Sequence, residues 1–152
     1  MAQLTKIEVQ LEIKSSAESF YEVFRSKQHL FPIICPDLVK SIKVIKGDWE
    51  SVGSIKEWDY VAGNAETAKE MVEEIDEKNK AISLKVLDGE ATKYYKNMKF
   101  TLQVRGMEQG GSSVKWTLEY EKLNKDIPAP TKYSEAFQVL ARNVDAFLSK
   151  YA

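Results

Sequence analysis

Cysteine and histidine are almost absent from this 152-residue chain, which holds one of each, Cys35 and His29. A disulfide needs a second cysteine, a zinc finger needs a set of Cys and His ligands, and a hydrolytic triad needs an activated nucleophile beside its base. None of these can be built here. An excess of charge is missing as well: 22 Lys and Arg stand against 23 Asp and Glu, for a net charge of −1. There is no basic field to condense on a phosphate backbone, so nucleic acid is not an expected partner. Long apolar runs are missing too. No stretch approaches the roughly 18 apolar residues of a membrane span, which argues against integral membrane association. Met1 to Lys6 lack the basic cap and apolar run of a secretory signal, and no Asn-x-Ser/Thr acceptor occurs. With Cys35 unpaired, the expected setting is the reducing cytoplasm. No cofactor or metal is implied, and a monomer or weak dimer is expected. Aromatic side chains, by contrast, are plentiful: 3 Trp, 7 Tyr and 6 Phe, more than a small core obviously needs.

From Thr5 to Ile13 the chain alternates strictly, Ile7, Val9, Leu11 and Ile13 against Lys6, Glu8, Gln10 and Glu12, as a half-buried strand does. Ser15 and Glu18 then offer a capping box for a short helix that turns Phe20, Val23 and Phe24 inward. Pro32 and Pro36 limit a second helix to a few residues around Gln28 to Ile33. Six further segments alternate between turns: 38–46, 52–60, 64–76, 81–87, 96–105 and 113–122. Connections this short predict an antiparallel meander. The segment 64–76 is the weakest of them, because its many glutamates also suit a charged helix; its place in a hairpin series makes it a strand. After Pro128 and Pro130 the period changes. Tyr133, Phe137, Leu140, Ala141, Val144, Phe147, Leu148 and Tyr151 recur at three- and four-residue steps, one long amphipathic helix with Thr131 as its N-cap.

The expectation is one α+β domain over residues 1–152, with seven antiparallel strands, two short helices after the first strand and one long C-terminal helix. A single long helix cannot cover the apolar face of seven flat strands, so the sheet must curl around it. Its concave side is then either packed with large side chains or hollow, and periodicity does not choose between the two.

At this point particular motifs become informative: Gly47-Asp48-Trp49, Gly53-Ser54-Ile55-Lys56-Glu57-Trp58-Asp59-Tyr60, Val86-Leu87-Asp88-Gly89, Tyr120-Glu121-Lys122-Leu123 and Pro128-Ala129-Pro130. In these motifs and in element order the chain resembles the plant major latex proteins, a branch of the birch-pollen-allergen superfamily, over essentially its whole length. The resemblance implies a helix-grip fold around a large apolar cavity, and the binding of small hydrophobic molecules in plant defence and stress responses. Carried over residue by residue, its cavity positions fall on Lys56, Trp58 and Tyr60; on Ile82, Leu84 and Val86; on Met98, Phe100, Trp116 and Leu118; and on Tyr133, Phe137, Leu140 and Val144 of the long helix. His29 lies near the expected opening and is a further candidate for contact with the ligand. Lys56 shares the inward face with Trp58 and Tyr60, where an unpaired ammonium is costly. It either snorkels to solvent at a sheet edge or anchors a polar group of the ligand.

Other features have plainer readings. The loop from Gly47 to Gly53 has two glycines and no Gly-Lys-Ser/Thr ending, so a tight strand connection fits it better than a phosphate cradle. That departure also argues against the ribonuclease activity suggested for pollen-branch relatives. Trp49 and Tyr151 read as rim or surface residues, and Cys35 as a small buried hydrophobe. The acidic run Glu66, Glu70, Glu73, Glu74, Asp76 and Glu77 reads as the wet face of a strand and its turn. The primary functional expectation is a carrier or reservoir for small hydrophobic or amphipathic molecules. The alternative is a cavity enzyme of acid/base isomerisation or condensation, with Lys56 and a nearby acid or Tyr60 moving the proton. A gated receptor is disfavoured, because the stretches 87–91 and 106–112 lack the gate and latch motifs of the abscisic-acid receptors.

Overall fold

The alternating run Thr5–Ile13 forms the first strand, β1, with Leu11 and Ile13 buried. The structure, a computed structural model, describes residues 4–150; Tyr151 lies outside them. Helix α1 (Ala17–Ser26) follows, then a 3-10 turn at Gln28–Leu30 and the single turn of α2 (Phe31–Ile34), held short by the prolines on either side of its end. Six strands come next: β2 (Val39–Lys46), β3 (Ile55–Ala62), β4 (Asn64–Asp76), β5 (Ala81–Gly89), β6 (Tyr95–Gly106) and β7 (Ser112–Lys122). The chain ends in helix α3 (Thr131–Lys150).

All pairings are antiparallel, in the order β1-β7-β6-β5-β4-β3-β2, and the sheet is not closed. This is the helix-grip arrangement, with α3 packed against β1, β3, β7 and the two shorter helices. The segment Asn64–Asp76 is indeed a strand, laddered on both sides and bulged after Lys69 and after Val72. The β4–β5 edge of the fold depends on Gly89, at φ +134°, where a Cβ would meet the Thr67 carbonyl oxygen at 2.2 Å.

Two helix starts differ from expectation. Ser16, not Ser15, caps α1, its hydroxyl oxygen accepting from the Ser19 N–H at 3.2 Å. Ser15 is engaged elsewhere: Asp145 of α3 accepts from the N–H of Lys14 (3.1 Å), the N–H of Ser15 (2.9 Å) and the Ser15 hydroxyl (2.6 Å). A local capping pattern has been outcompeted by a tertiary carboxylate. Thr131 is itself the first residue of α3 rather than its cap, with buried Pro130 before it.

Burial pushes the Asp145 carboxyl up, but the hydrogen bonds from Ser15 and Lys14 outweigh it and hold the group below its ordinary value. Such a group stabilises the fold above the unfolded-state value, about 4, and loses that contribution as the pH falls through the folded one. Replacing Asp145→Ala should therefore cost about 2 kcal/mol in urea unfolding near neutral pH. The gap to the parent chain should close as the pH is lowered below about 4.

Candidate ligand-binding site

The concave face of the sheet and the inner stripe of α3 leave a gap between them, a cavity of about 140 Å³. Inward strand positions build one side of it: Trp58 and Tyr60 on β3, Ile82 and Leu84 on β5, Phe100 and Leu102 on β6, and Trp116 on β7. Helix α3 supplies Tyr133, Ala136, Phe137 and Leu140, while Phe24, Phe31, Leu38 and Val39 close it from the short helices and the start of β2. Six rings form a continuous chain through this wall. Phe100 stacks on Trp116 (centroids 5.4 Å apart) and Trp116 on Phe137 (5.2 Å); Phe137 then tilts against Phe24 (6.1 Å), Phe24 against Phe31 (5.0 Å) and Phe31 against Trp58 (5.7 Å). Each such pair adds about 0.5–1.5 kcal/mol beyond its buried area.

These rings fill much of the interior, so the cavity is smaller than the large one implied by the family resemblance. An apolar void of about 150 Å³ accepts a single benzene-sized ring. A ligand of steroid size fits only if the aromatic side chains move aside.

Polar groups are few and unequal. Gln28 is buried at the wall, its amide N–H donating to the Phe24 carbonyl at 3.0 Å and its side-chain oxygen accepting from Lys56 Nζ at 3.2 Å. Lys56 is only 3% exposed, which excludes the snorkelling reading. Its ammonium also donates to the Trp49 carbonyl at 3.2 Å and lies 5.6 Å from the Trp49 ring. Desolvation holds the Lys56 pKa below its ordinary value, against the pull of Glu70 and Asp48. At another part of the wall, the hydroxyls of Tyr60 and Tyr133 both donate to Glu66 Oε1, at 2.9 and 2.7 Å, and Lys132 pairs with Oε2. Burial and these close neighbours push both phenols well up.

Glu70 differs from all of these. It faces Lys56 across the β3–β4 ladder, yet its side chain forms no hydrogen bond or ion pair with any described residue. It is half-buried by surface and lines the cavity wall. Burial pushes its carboxyl up to about 7, with Lys56 pulling the other way.

The structure thus gathers Trp58, Tyr60, Ile82, Leu84, Phe100, Trp116, Tyr133, Phe137 and Leu140 around the cavity. Val86, Met98, Leu118 and Val144 lie on the same inward faces but are packed into the surrounding core, away from the wall. Lys56 reaches the cavity only through Gln28, and His29 is exposed, with its ring edge-on to Trp49 at 5.5 Å. The acidic run is not all on a wet face: Glu66 and Glu70 point inward, in step with buried Ala68 and Val72. That shared parity was the available signal. It was hidden by Ala65 and Met71 on the opposite parity. The 47–53 loop is a turn held by its own groups: Asp48 accepts from the N–H of Glu50 and Ser51, and Gly47, at φ +81°, has no room for a Cβ beside Ser54. Cys35 is buried, and burial pushes its thiol up.

Between its unfolded value near 4.5 and its folded value of about 7, Glu70 is protonated in the folded chain and ionised in the unfolded one. Its contribution to stability therefore falls as the pH rises through that window, and is flat above it. Replacing Glu70→Gln should remove a loss of about 3 kcal/mol. Urea unfolding of parent and variant across that pH range should show the variant gaining on the parent towards neutrality.

Residues 2–151 match the model of the Pathogenesis-related protein Bet v 1 family. MLP-like protein 34 of Arabidopsis thaliana is 36% identical over 144 residues, which are 93% of this chain but 46% of that protein. The chain thus spans less than half of that relative. MLP-like protein 43 of the same plant is 34% identical over 145 residues, 94% of this chain and 92% of its own length. The crystal structure of ginseng major latex-like protein 151 from Panax ginseng matches with a TM-score of 0.90 at 32% identity, covering 95% of this chain and 97% of that one. Matches that run through the same strands and helix that enclose the cavity place the chain among the major latex protein-like members of the Bet v 1 family, a family that generally binds hydrophobic ligands.

Proposed function

We propose that this chain binds small hydrophobic or amphipathic molecules in the cavity beneath α3 and carries or stores them. The observation that carries this reading is the continuous chain of six aromatic rings around a space that they do not fill. Apolar and aromatic walls with a few placed polar groups are the usual composition of a small-molecule pocket. The proposed contacts are the wall residues described above, with Gln28, Glu70 and the phenols of Tyr60 and Tyr133 as the polar members. The family's description as pathogenesis-related supports a setting in plant defence or stress response. A free, buried Cys35 fits the reducing cytoplasm.

A second reading, acid/base catalysis on a metabolite, is favoured by one observation. Glu70 and Lys56 face each other across adjacent strands, one with a raised and the other with a lowered pKa, which are the shifts of groups that exchange protons near neutrality. Against it, Lys56 is bound to Gln28 and Trp49 and does not touch the cavity.

The test is calorimetric titration with toluene. Burying roughly 200 Å² of ligand surface is worth about 5 kcal/mol before the costs of association, so a dissociation constant in the sub-millimolar to millimolar range is expected. One site should fill, and the fluorescence of Trp58 and Trp116 should change with it. An absence of both signals would overturn the reading. Enlarging the void with Phe137→Ala should cost about 3–5 kcal/mol of stability. The same change should let naphthalene bind where the parent chain takes only the single ring.

A further inference from the structure

The wall of the cavity holds polar groups of two kinds. Tyr60 and Tyr133 spend their only donors on Glu66, and Gln28 gives an amide N–H to the Phe24 carbonyl and its oxygen to Lys56. Glu70 has an acceptor to offer and no donor to receive, although Lys56 lies next to it on β3. The Lys56 ammonium is directed instead to Gln28 and the Trp49 carbonyl. On its own strand Glu70 lies between Ala68 and Val72, and its partner on β5 is Val86, so none of these neighbours can donate from a side chain. Among the described residues, Glu70 is thus the wall carboxyl that receives no hydrogen bond from a protein donor.

A carboxyl set in an apolar wall and only partly open to water is poorly solvated, and a ligand that supplies a donor to it recovers part of that cost on binding. The neighbouring charges decide which donor suits. A protonated amine would bring a second cation close to Lys56, and a carboxylate would bring a second acid against Glu70. A hydroxyl on an aromatic ring supplies the hydrogen bond and adds no charge. The volume admits one such ring.

We infer that Glu70 is the residue that sets ligand specificity, making the cavity select a small neutral aromatic molecule with a hydroxyl donor over an equally shaped one that is bare or charged. The inference rests on the binding function proposed above and names the chemistry of the molecule bound. The raised pKa of Glu70 agrees with an acceptor held in an apolar wall without a partner.

The experiment is calorimetric titration of the parent chain, Glu70→Leu and Glu70→Gln with four probes of one shape: toluene, 4-methylphenol, 4-methylbenzoate and 4-methylbenzylamine. The parent chain should bind 4-methylphenol at least about tenfold more tightly than toluene, as expected for a hydrogen bond to an ionisable acceptor. Both charged probes should bind more weakly than toluene. In Glu70→Leu the order should reverse, because the phenol hydroxyl is then buried with no partner. Glu70→Gln, which keeps an oxygen acceptor, should retain part of the preference. Toluene binding by each variant reports that the fold and cavity are intact. Equal binding of toluene and 4-methylphenol by the parent chain, tighter binding of the amine than of the phenol, or a phenol preference that survives in Glu70→Leu would each overturn the selectivity while leaving the binding function standing. Binding of none of the four would overturn both.

Discussion

One helix of 20 residues has to cover the concave face of seven strands, and the interior is shaped by where that helix is held. Near its start, Lys132 and Tyr133 reach Glu66 of β4. Halfway along, Phe137 lies flat on Trp116 of β7. Near its end, Asp145 takes the backbone between β1 and α1. Each attachment uses a different chemistry and a different part of the fold. Between them the helix spans the sheet without closing the gap beneath it, and the space that remains is bounded by rings from both, Phe137 and Trp116 among them.

Two glutamates enter this interior from one strand and meet opposite fates. Glu66 collects two phenols and an ammonium, and the cost of burying a carboxylate is offset by groups that all need an acceptor. Glu70, two inward positions further along β4, collects none. The difference lies in what faces each of them: Glu66 meets the first turn of α3, whereas Glu70 meets the void. The same helix that satisfies one acid leaves the other open, so the polarity of the cavity is a by-product of how α3 is anchored.

Much of this architecture was legible in the sequence. Strict alternation fixed β1, β6 and β7, and the change to three- and four-residue spacing after Pro130 fixed α3. The inward face of each strand is legible too, and it agrees with the family resemblance that sets Trp58, Phe100 and Trp116 with Phe137 of the helix around one interior. Position along a face was not. Met98 and Leu118 have the same parity as Phe100 and Trp116, but whether a residue meets the helix or the gap beneath it depends on the curvature of the sheet, which no local pattern encodes. The inward turn of Glu66 and Glu70 is not legible, because β4 carries apolar residues on both parities and bulges twice. The Ser15 capping pattern fails for a different reason. Its competitor, Asp145, is 130 residues away in sequence.

Because the sheet stays open, two strands keep a row of backbone donors and acceptors with no neighbour in the sheet. Such rows invite a second copy to continue the ladder. On β2 the exposed positions include Lys40, Lys43 and Lys46, and on β1 they include Lys6, Glu8 and Glu12. Joining β2 to β2 would set one file of ammonium groups against another, and the repulsion would be strongest at low salt. The charge carried by β2 therefore disfavours one specific self-association, the joining of two copies through that edge.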